Sequence, residues 1–267
     1  MANASLTVVG VGHGLAGHVT AEVGKYLESA DRLLYLVNHS LTERFLKTVN
    51  SNATSLAQYL REGRSASDLI ERVVEAMVSP LRKGLNVCAA FSGHPAILVP
   101  PAHIAIRRAQ SEGFPAQMLP GVSAPDCLFA QLSVDPAAYG CAVFDATDFL
   151  IHSRVFDPAS SLILLQIGSI GVTTYSTRNI HRQSRLQILE KYLRKELPAS
   201  HEVVIYEAAV SPIAKSTIEV IRLGGLHEHP VTAASTLYVP PCRRVAVSKQ
   251  MLKRIGMAAI HVERGRR

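Results

Sequence analysis

Residues 86–113, NVCAAFSGHPAILVPPAHIAIRRAQSEG, contain the pattern on which the fold prediction depends. The run NVCAAF is apolar after its first residue, as is typical of a strand buried on both faces of a parallel sheet. A polar loop with Gly93 and His94 follows it, and two prolines then begin an amphipathic helix that ends near Gly113. This order predicts a strand–loop–helix unit whose loop lies at the carboxyl edge of the sheet, where open α/β sheets bind ligands.

The same alternation extends along the chain in both directions. SLTVVGVG (5–12) and RLLYLVN (32–38) predict strands, and the apolar spacing over residues 67–81 predicts a helix. After Pro158, the segments SLILLQIG, HEVVIYEAA and STLYVPP predict further strands, with SRLQILEKYLRKE as a helix. We therefore predict an α/β protein with two lobes, residues 1–120 and 121–267, with 121–158 as a joining region rich in Pro, Gly and Asp.

Composition narrows the class of protein. Of the 267 residues, 48% are hydrophobic and 18% charged, a balance that supplies a normal core. The formal net charge is +7, but much of the excess lies in residues 243–254 and 264–267, where no aromatic side chains interleave as base-stacking platforms would require. Nucleic acid is therefore not an expected partner.

The cysteines and the apolar runs indicate in which cellular compartment the protein is expected. Cys88, Cys127, Cys141 and Cys242 form no CxxC pair and no zinc-like spacing with histidine, so no metal site is predicted. The start MANASLTVVG does not resemble a signal peptide, and no apolar run approaches the ~20 residues that cross a bilayer. We expect a cytoplasmic protein without a membrane span.

A glycine-rich loop follows the first strand. Gly10, Gly12 and Gly14 predict a tight turn where a backbone or ligand approaches closely. A dinucleotide site would need a glycine where Leu15 stands and an acidic residue where Asn38 ends the second strand. The loop therefore predicts a ligand cleft that does not take NAD, and the segment PGVSA (120–124) adds a third loop to the same edge.

Together these loops resemble the tetrapyrrole methylase superfamily, and within it the borosin peptide α-N-methyltransferases. The resemblance is carried by SLTVVGVG, FSGHPAILVPPAHIAIRRAQSEGF, MLPGVSAPDCLFAQLSVDP, FDATDFLI, LILLQIGSIG and STLYVPP, which span nearly the whole chain. It implies a two-lobed fold with a mostly parallel N-terminal sheet and a mixed C-terminal sheet. It also implies S-adenosylmethionine (SAM) as cofactor, bound between the lobes, and a homodimer.

The resemblance assigns cofactor contacts to matching positions at strand ends. These residues are mostly small or polar, as backbone contacts to a nucleoside require. In the N-terminal lobe and the third loop they are Gly93, His94, Ile97, Ser123 and Ala124, and in the C-terminal lobe Gln166, Ala208, Ser235 and Thr236.

The chain departs from the family where an amide would be activated. Borosin-like enzymes use a tyrosine and arginine cluster, and in the ungapped register these positions fall on residues such as Ala66 and Ile70. Tyr59 and Arg64 remain nearby as catalytic candidates, with Arg61 as a further one, because phenolate and guanidinium chemistry suits proton removal and charge stabilisation. The chain also ends at Arg267 without the fused peptide of many borosins, which predicts a separate peptide substrate.

Three functions remain open at this stage. The first is N-methylation of backbone amides in a separate precursor peptide. The second is methylation of a side chain or small molecule, which the missing Tyr/Arg positions favour. The third is a catalytically silent SAM-binding partner protein.

Overall fold

A computed structural model describes residues 4–60, 64–174, 182–210 and 214–257; Arg61 and the terminal arginines of 264–267 lie outside them. Within these residues the strands form two five-stranded sheets. The strands are β1 (Leu6–Gly10), β2 (Arg32–Leu36), β3 (Thr54–Ser55), β4 (Val87–Phe91), β5 (Ala116–Leu119), β6 (Cys141–Asp145), β7 (Ser161–Leu165), β8 (Glu202–Glu207), β9 (Thr217–Arg222) and β10 (Thr236–Val239). The α-helices are α1 (Ala21–Ser29), α2 (Ser40–Val49), α3 (Ala66–Val78), α4 (Pro100–Ser111), α5 (Ala124–Leu132), α6 (Ala146–Ile151), α7 (Gln183–Leu193) and α8 (Lys249–Arg254).

The first sheet has the order β3-β2-β4-β1-β5, and all its pairings are parallel. Its two central strands are buried at every position, as the apolar run NVCAAF predicts. Alternate residues face opposite sides: Val87 and Ala89 of β4 pack in a cluster with α3 and α4, whereas Cys88 and Ala90 pack with α1 and α2. The parallel N-terminal sheet is therefore confirmed.

The second sheet has the order β6-β7-β10-β8-β9. Strands β6 and β7 run parallel, while β10 is antiparallel to both β7 and β8, and β9 is antiparallel to β8. Leu162 and Leu164 of β7 pack against α6 and α7, and Ile163 packs against α5 on the other face. This mixed sheet confirms the predicted fold class.

The segment 121–158 is more regular than its composition predicts. It contains α5, β6 and α6, because several of its polar residues are helix caps. Ser123 and Asp126 form a reciprocal capping box at the start of α5, and the Asp145 side chain accepts from the Asp148 backbone N–H at the start of α6. Leu128 of α5 packs on the second sheet. The lobe boundary near residue 121 stays a prediction with which this packing agrees.

The turn after β1 is longer than the predicted tight strand-to-helix turn. Ten residues separate Gly10 from the start of α1 at Ala21, and they include a 3₁₀ turn at Leu15–His18. The His18 ring folds back so that its Nδ1 accepts the backbone N–H groups of His13 and Gly14, at 3.2 and 3.0 Å. The glycines therefore form a compact loop around a histidine rather than a direct helix entry.

The described residues contain neither a helix suited to span a membrane nor a cluster suited to hold a metal ion. No helix there is long and apolar enough to cross a membrane. No cluster of three or more His, Cys, Asp or Glu side chains in that part of the chain could hold a metal ion. Cys88 is buried as expected of a small core residue, and its burial raises the pKa of the thiol to about 12.

Candidate functional site

Three strand-end loops of the first sheet meet at glycines. A Cβ atom placed on Gly10 would lie 2.7 Å from the Cα of Gly121, so neither position can carry a side chain without displacing backbone. Gly12 and Gly93 exchange backbone hydrogen bonds of 3.2 and 2.9 Å, and Gly93 has φ +68°, which favours glycine. These contacts fix the loops after β1, β4 and β5 relative to one another.

A cavity of about 450 Å³ opens beside this junction, between the loops of the first sheet and those of the second. Its size falls in the ~300–1,000 Å³ range of small-molecule sites. A smaller cavity of about 120 Å³ adjoins it and shares five lining residues with it, which are His13, Asn38, Ser92, Ala124 and Ala234. We call the two together the interlobe cavity.

Seven of the nine predicted cofactor residues line the larger part of the interlobe cavity. Ile97 is the most exposed apolar group among them, at 36%. The seven are Gly93, His94, Ile97, Ser123, Ala124, Gln166 and Thr236. The structure thus brings together residues that are 143 positions apart in the chain (93 to 236). Their role in cofactor binding stays a prediction.

The remaining two lie at the margin of the site. Ala208 lines the smaller part of the cavity. Ser235 is fully buried behind the wall, where its hydroxyl donates to the Glu207 carboxylate and accepts the Thr232 backbone N–H at 2.7 Å. The Thr232 hydroxyl also donates to Glu207, at 2.7 Å. Ser235 therefore holds the loop that carries Ala233, Ala234 and Thr236 into the cavity.

Glu207 was not predicted from the sequence. It ends β8, and its carboxylate accepts from both hydroxyls of the 232–235 loop. Its only sequence signal is an acidic residue at the end of an apolar strand, and that signal does not identify a partner 28 residues away.

The walls of the interlobe cavity carry no carboxylate, tyrosine, lysine or arginine among the described lining residues. The lining combines apolar groups such as Leu98, Val99 and Pro125 with polar groups such as Gln166 and Thr236. A wall without fixed positive charge suits a sulfonium ligand, and an amide and a hydroxyl beside apolar surface suit a nucleoside. The residues present therefore fit SAM.

Two residues on this wall have a backbone conformation unusual for their type. Leu98 and Gln166 have φ values of 56° and 58°, in the left-handed region that disfavours residues with a Cβ. Such conformations cost about 1–3 kcal/mol and cluster at ligand clamps. Because both residues line the same cavity, from opposite lobes, the strain supports a binding role for these loops.

Histidines supply the titratable groups of the site. The His94 Nδ1 accepts the Ala96 backbone N–H at 3.1 Å, and the His39 Nδ1 accepts that of Leu41 at 3.2 Å. His13 lines both parts of the interlobe cavity, although sequence reasoning did not single it out. Burial first, and the nearby His18 second, lower the pKa of His13 below the usual 6.5. Its position in the glycine-rich loop that follows the first strand was the available signal.

Neither predicted catalytic residue lines the interlobe cavity. Tyr59 ends the 3₁₀ turn Leu56–Tyr59 and packs half-buried against the core beside α3 and α4. Arg64 is exposed. Their catalytic role stays a prediction, and within the described residues the geometry brings neither to the cavity wall.

The family model for Tetrapyrrole (Corrin/Porphyrin) Methylases matches residues 5–222. Among curated proteins, the chain is 38% identical over 253 residues to the methyltransferase/ribosomally synthesized cyclic peptide dendrothelin A precursor of Dendrothele bispora. It is 37% identical over 255 residues to the corresponding omphalotin A precursor of Omphalotus olearius. These alignments cover 93% and 94% of this chain but 60% and 61% of the relatives.

Solved structures share the fold at low identity. Uroporphyrin-III C-methyl transferase from Thermus thermophilus, complexed with S-adenyl homocysteine, aligns with a TM-score of 0.60 at 19% identity, covering 92% of this chain and 96% of that one. A diphthine synthase aligns with a TM-score of 0.63 at 12% identity, covering 91% and 92%. Other relatives carry the name borosin, at 35% and 36% identity, which confirms the expected likeness. With a family match over most of its length and the two-sheet fold to go with it, the chain belongs to the tetrapyrrole methylases, a family of methyltransferases.

Proposed function

We propose that the protein transfers the methyl group of SAM to backbone amide nitrogens of a peptide. The observation that carries the SAM assignment is the interlobe cavity, into which seven of nine independently predicted cofactor residues converge. Support for a peptide acceptor comes from the names of the relatives, which are methyltransferases joined to cyclic peptide precursors. The chain spans about 60% of the length of those relatives, so a peptide acceptor belongs to the proposal for this chain and not to its shown properties.

When bound, SAM supplies a methyl group on a positively charged sulfur. The residues of this chain would hold that ligand and exclude water. The apolar side of the wall, from Ile97 to Val99, would cover the base, while Gln166 and Thr236 would orient the nucleoside through hydrogen bonds. Placing the methyl carbon and the acceptor nitrogen in line is the main catalytic requirement of such a displacement.

Calorimetry with S-adenosylhomocysteine (SAH) and with NAD tests the cofactor assignment. We expect a dissociation constant in the micromolar range for SAH, near −8 kcal/mol at ~1 μM, and no heat with NAD. A chain that binds NAD and not SAH would contradict the proposal.

Co-expression with each short peptide encoded by neighbouring genes tests the acceptor. Fragmentation in the mass spectrometer should locate single-methyl increments on backbone nitrogens. Synthetic versions with blocked ends and only Ala, Gly, Val, Ile and Leu side chains offer no nucleophile except the backbone, so their methylation would establish amide chemistry.

One observation favours a second candidate, methylation of a side chain or small molecule. No described lining residue is a tyrosine or arginine that could activate an amide. A better nucleophile, such as an amine or thiol, would need less help. Methylation of peptides that contain Lys, Cys or His, with none of the blocked aliphatic peptides, would support this candidate. SAH binding without turnover of any peptide would instead support a silent binding protein.

The family resemblance also suggests a homodimer. Sedimentation of the full chain, at several concentrations and with and without SAH, would test that proposal directly.

A further inference from the structure

Methylation of a nitrogen that carries hydrogen requires a group to take up the displaced proton. The interlobe cavity has no carboxylate or phenolate on its described walls, which leaves its histidines as the candidate bases. Three histidines border it: His13, His39 and His94.

Two of these histidines are excluded as bases because their ring lone pairs already accept hydrogen bonds. A neutral imidazole has one N–H and one lone pair, so a ring whose Nδ1 accepts a hydrogen bond carries its hydrogen on Nε2. The His94 Nδ1 accepts from Ala96 and the His39 Nδ1 accepts from Leu41. The lone pairs of both rings are therefore already in use, and their Nε2 atoms are donors.

The ring lone pair of His18, which lies further along the same loop, is also used in hydrogen bonds. Its Nδ1 accepts two backbone N–H groups, from His13 and Gly14, and its ring borders a separate cavity. His18 therefore orients the His13 backbone and does not compete for the proton.

His13 differs from the other three. No hydrogen bond to either of its ring nitrogens is found within the described residues, and His13 lines both parts of the interlobe cavity. It lies directly over Gly93, where an added Cβ would stand 2.9 Å from His13 Nε2. The junction of glycine loops therefore leaves room for this imidazole and holds it beside the predicted cofactor loop.

We propose that the imidazole of His13 is the proton acceptor for methyl transfer, taking the proton of the acceptor nitrogen. This inference rests on the proposed function and extends it to the acceptor side of the same site. The acceptor nitrogen forms its bond to the methyl carbon while the carbon–sulfur bond breaks and leaves its electron pair on sulfur. The N–H proton moves to the free ring nitrogen of His13 and is then released to water.

An imidazole is strong enough for this role when the proton moves as the new bond forms. A nitrogen that gains a fourth bond becomes strongly acidic, and a base with a pKa near or below neutrality then accepts its proton. Burial and the neighbouring His18 keep His13 uncharged at neutral pH, so that its lone pair is available. His18 is the one titratable group identified as acting on it among the described residues, and no carboxylate faces the ring from the cavity walls.

The first test compares His13→Gln with wild type in SAH affinity and in methylation of the peptide found by co-expression. Glutamine keeps polarity and approximate size but accepts no proton at neutral pH. We expect affinity within about threefold and a rate lowered by about 10²–10⁴-fold, the usual contribution of general bases. The wild-type rate should rise as the pH is raised towards 6.5, and the variant should lack that limb. His152→Gln, at an exposed histidine that follows α6 and does not line the interlobe cavity, is the matched control and should match wild type.

The second test needs no turnover. Diethyl pyrocarbonate acylates neutral imidazoles at a free lone pair, and mass spectrometry locates the product. With SAH bound, His13 should react faster than His94, because the His94 Nδ1 already accepts a hydrogen bond and no such bond is found to the His13 ring within the described residues. Two results would overturn the proposal and make His13 a cofactor contact. One is protection of His13 from acylation when SAH is bound. The other is a loss of SAH affinity in His13→Gln as large as its loss of rate. If the wild-type protein binds SAH but methylates no peptide, only the proposed peptide acceptor is contradicted. The acylation test then decides whether His13 has the proposed position and free lone pair.

Discussion

A Cβ atom built on Gly121 would lie 2.6 Å from the Cα of Gly10, although the two glycines are 111 positions apart in the chain. The loops after β1 and β5 therefore touch backbone to backbone at the edge of the first sheet, beside Gly93. This contact holds the loops after β1, β4 and β5 together at the edge of the interlobe cavity.

Gly121→Ala should lower the free energy of unfolding by about 1–3 kcal/mol, because backbone must move to admit the methyl group. It should also weaken SAH binding by displacing the cavity loops. Thermal denaturation and calorimetry measure the two effects. Gly24→Ala is the control: it lies in α1 with nothing within 4 Å of the added Cβ, so it should raise stability by about 1 kcal/mol. Equal stability of the two variants would contradict the described junction.

Ser235→Ala should weaken SAH binding although the side chain does not line the cavity. The change removes the hydroxyl that donates to Glu207 and accepts from Thr232, so the loop bearing Thr236 loses support. A lost hydrogen bond of about 1 kcal/mol corresponds to roughly fivefold in affinity. Ser29→Ala, which removes an exposed hydroxyl bonded within α1, should leave calorimetric affinity unchanged. An unaffected Ser235→Ala would mean that the loop holds its position without this hydroxyl.

Tyr59→Phe and Arg64→Gln test whether these two residues activate the amide in place of the family's tyrosine and arginine. Because neither side chain lines the interlobe cavity, we expect rates within about threefold of wild type, against the ~10²-fold or larger loss typical of a removed general base. Initial rates on the co-expressed peptide provide the measurement. A methylation rate lowered by two orders of magnitude in Tyr59→Phe would show that the Tyr59 phenol is catalytic after all.

His13 should make stability depend on pH. Its folded-state pKa is lowered below 6.5, so the unfolded chain binds more protons than the native one between the two pKa values. The stability that the uncharged His13 ring contributes is fully present above about pH 6.5, and it is lost as the pH falls through the folded-state pKa. Denaturant titrations of wild type and His13→Gln should therefore show wild type losing relative stability below pH 6.5. Parallel curves for the two proteins would contradict the lowered pKa.

Asn50→Ala should destabilise the first lobe through the end of α1. The buried Asn50 amide donates to the carbonyls of Leu27 and Ala30, both at 2.9 Å, and its oxygen accepts the Asn52 backbone N–H. Leaving these groups unpaired costs about 1–3 kcal/mol. Asn52→Ala, whose exposed side chain makes one bond of 3.4 Å, should cost less than about 0.5 kcal/mol. Denaturant unfolding compares the two, and similar losses would be inconsistent with this network.

Much of the fold was predictable because strand and helix periods are local properties. The apolar run 87–91, the amphipathic pattern over α3 and the glycine at 113 predict their elements at nearly the observed bounds. Residues 121–158 were harder to interpret, since Ser123, Asp126 and Asp145 favour helix caps as well as loops. Local pattern does not distinguish these two uses of a polar side chain.

The sequence by itself determined that glycine-containing loops end the parallel strands, and from this it predicted a ligand site at their edge. Tertiary structure alone decided which side chains face that site. It placed Ser235 behind the wall through Glu207, kept Tyr59 and Arg64 away from the cavity, and brought His13 over Gly93. The reason is physical: side-chain direction at a loop depends on contacts with residues distant in the chain, and those partners meet only when the strands assemble into their sheets.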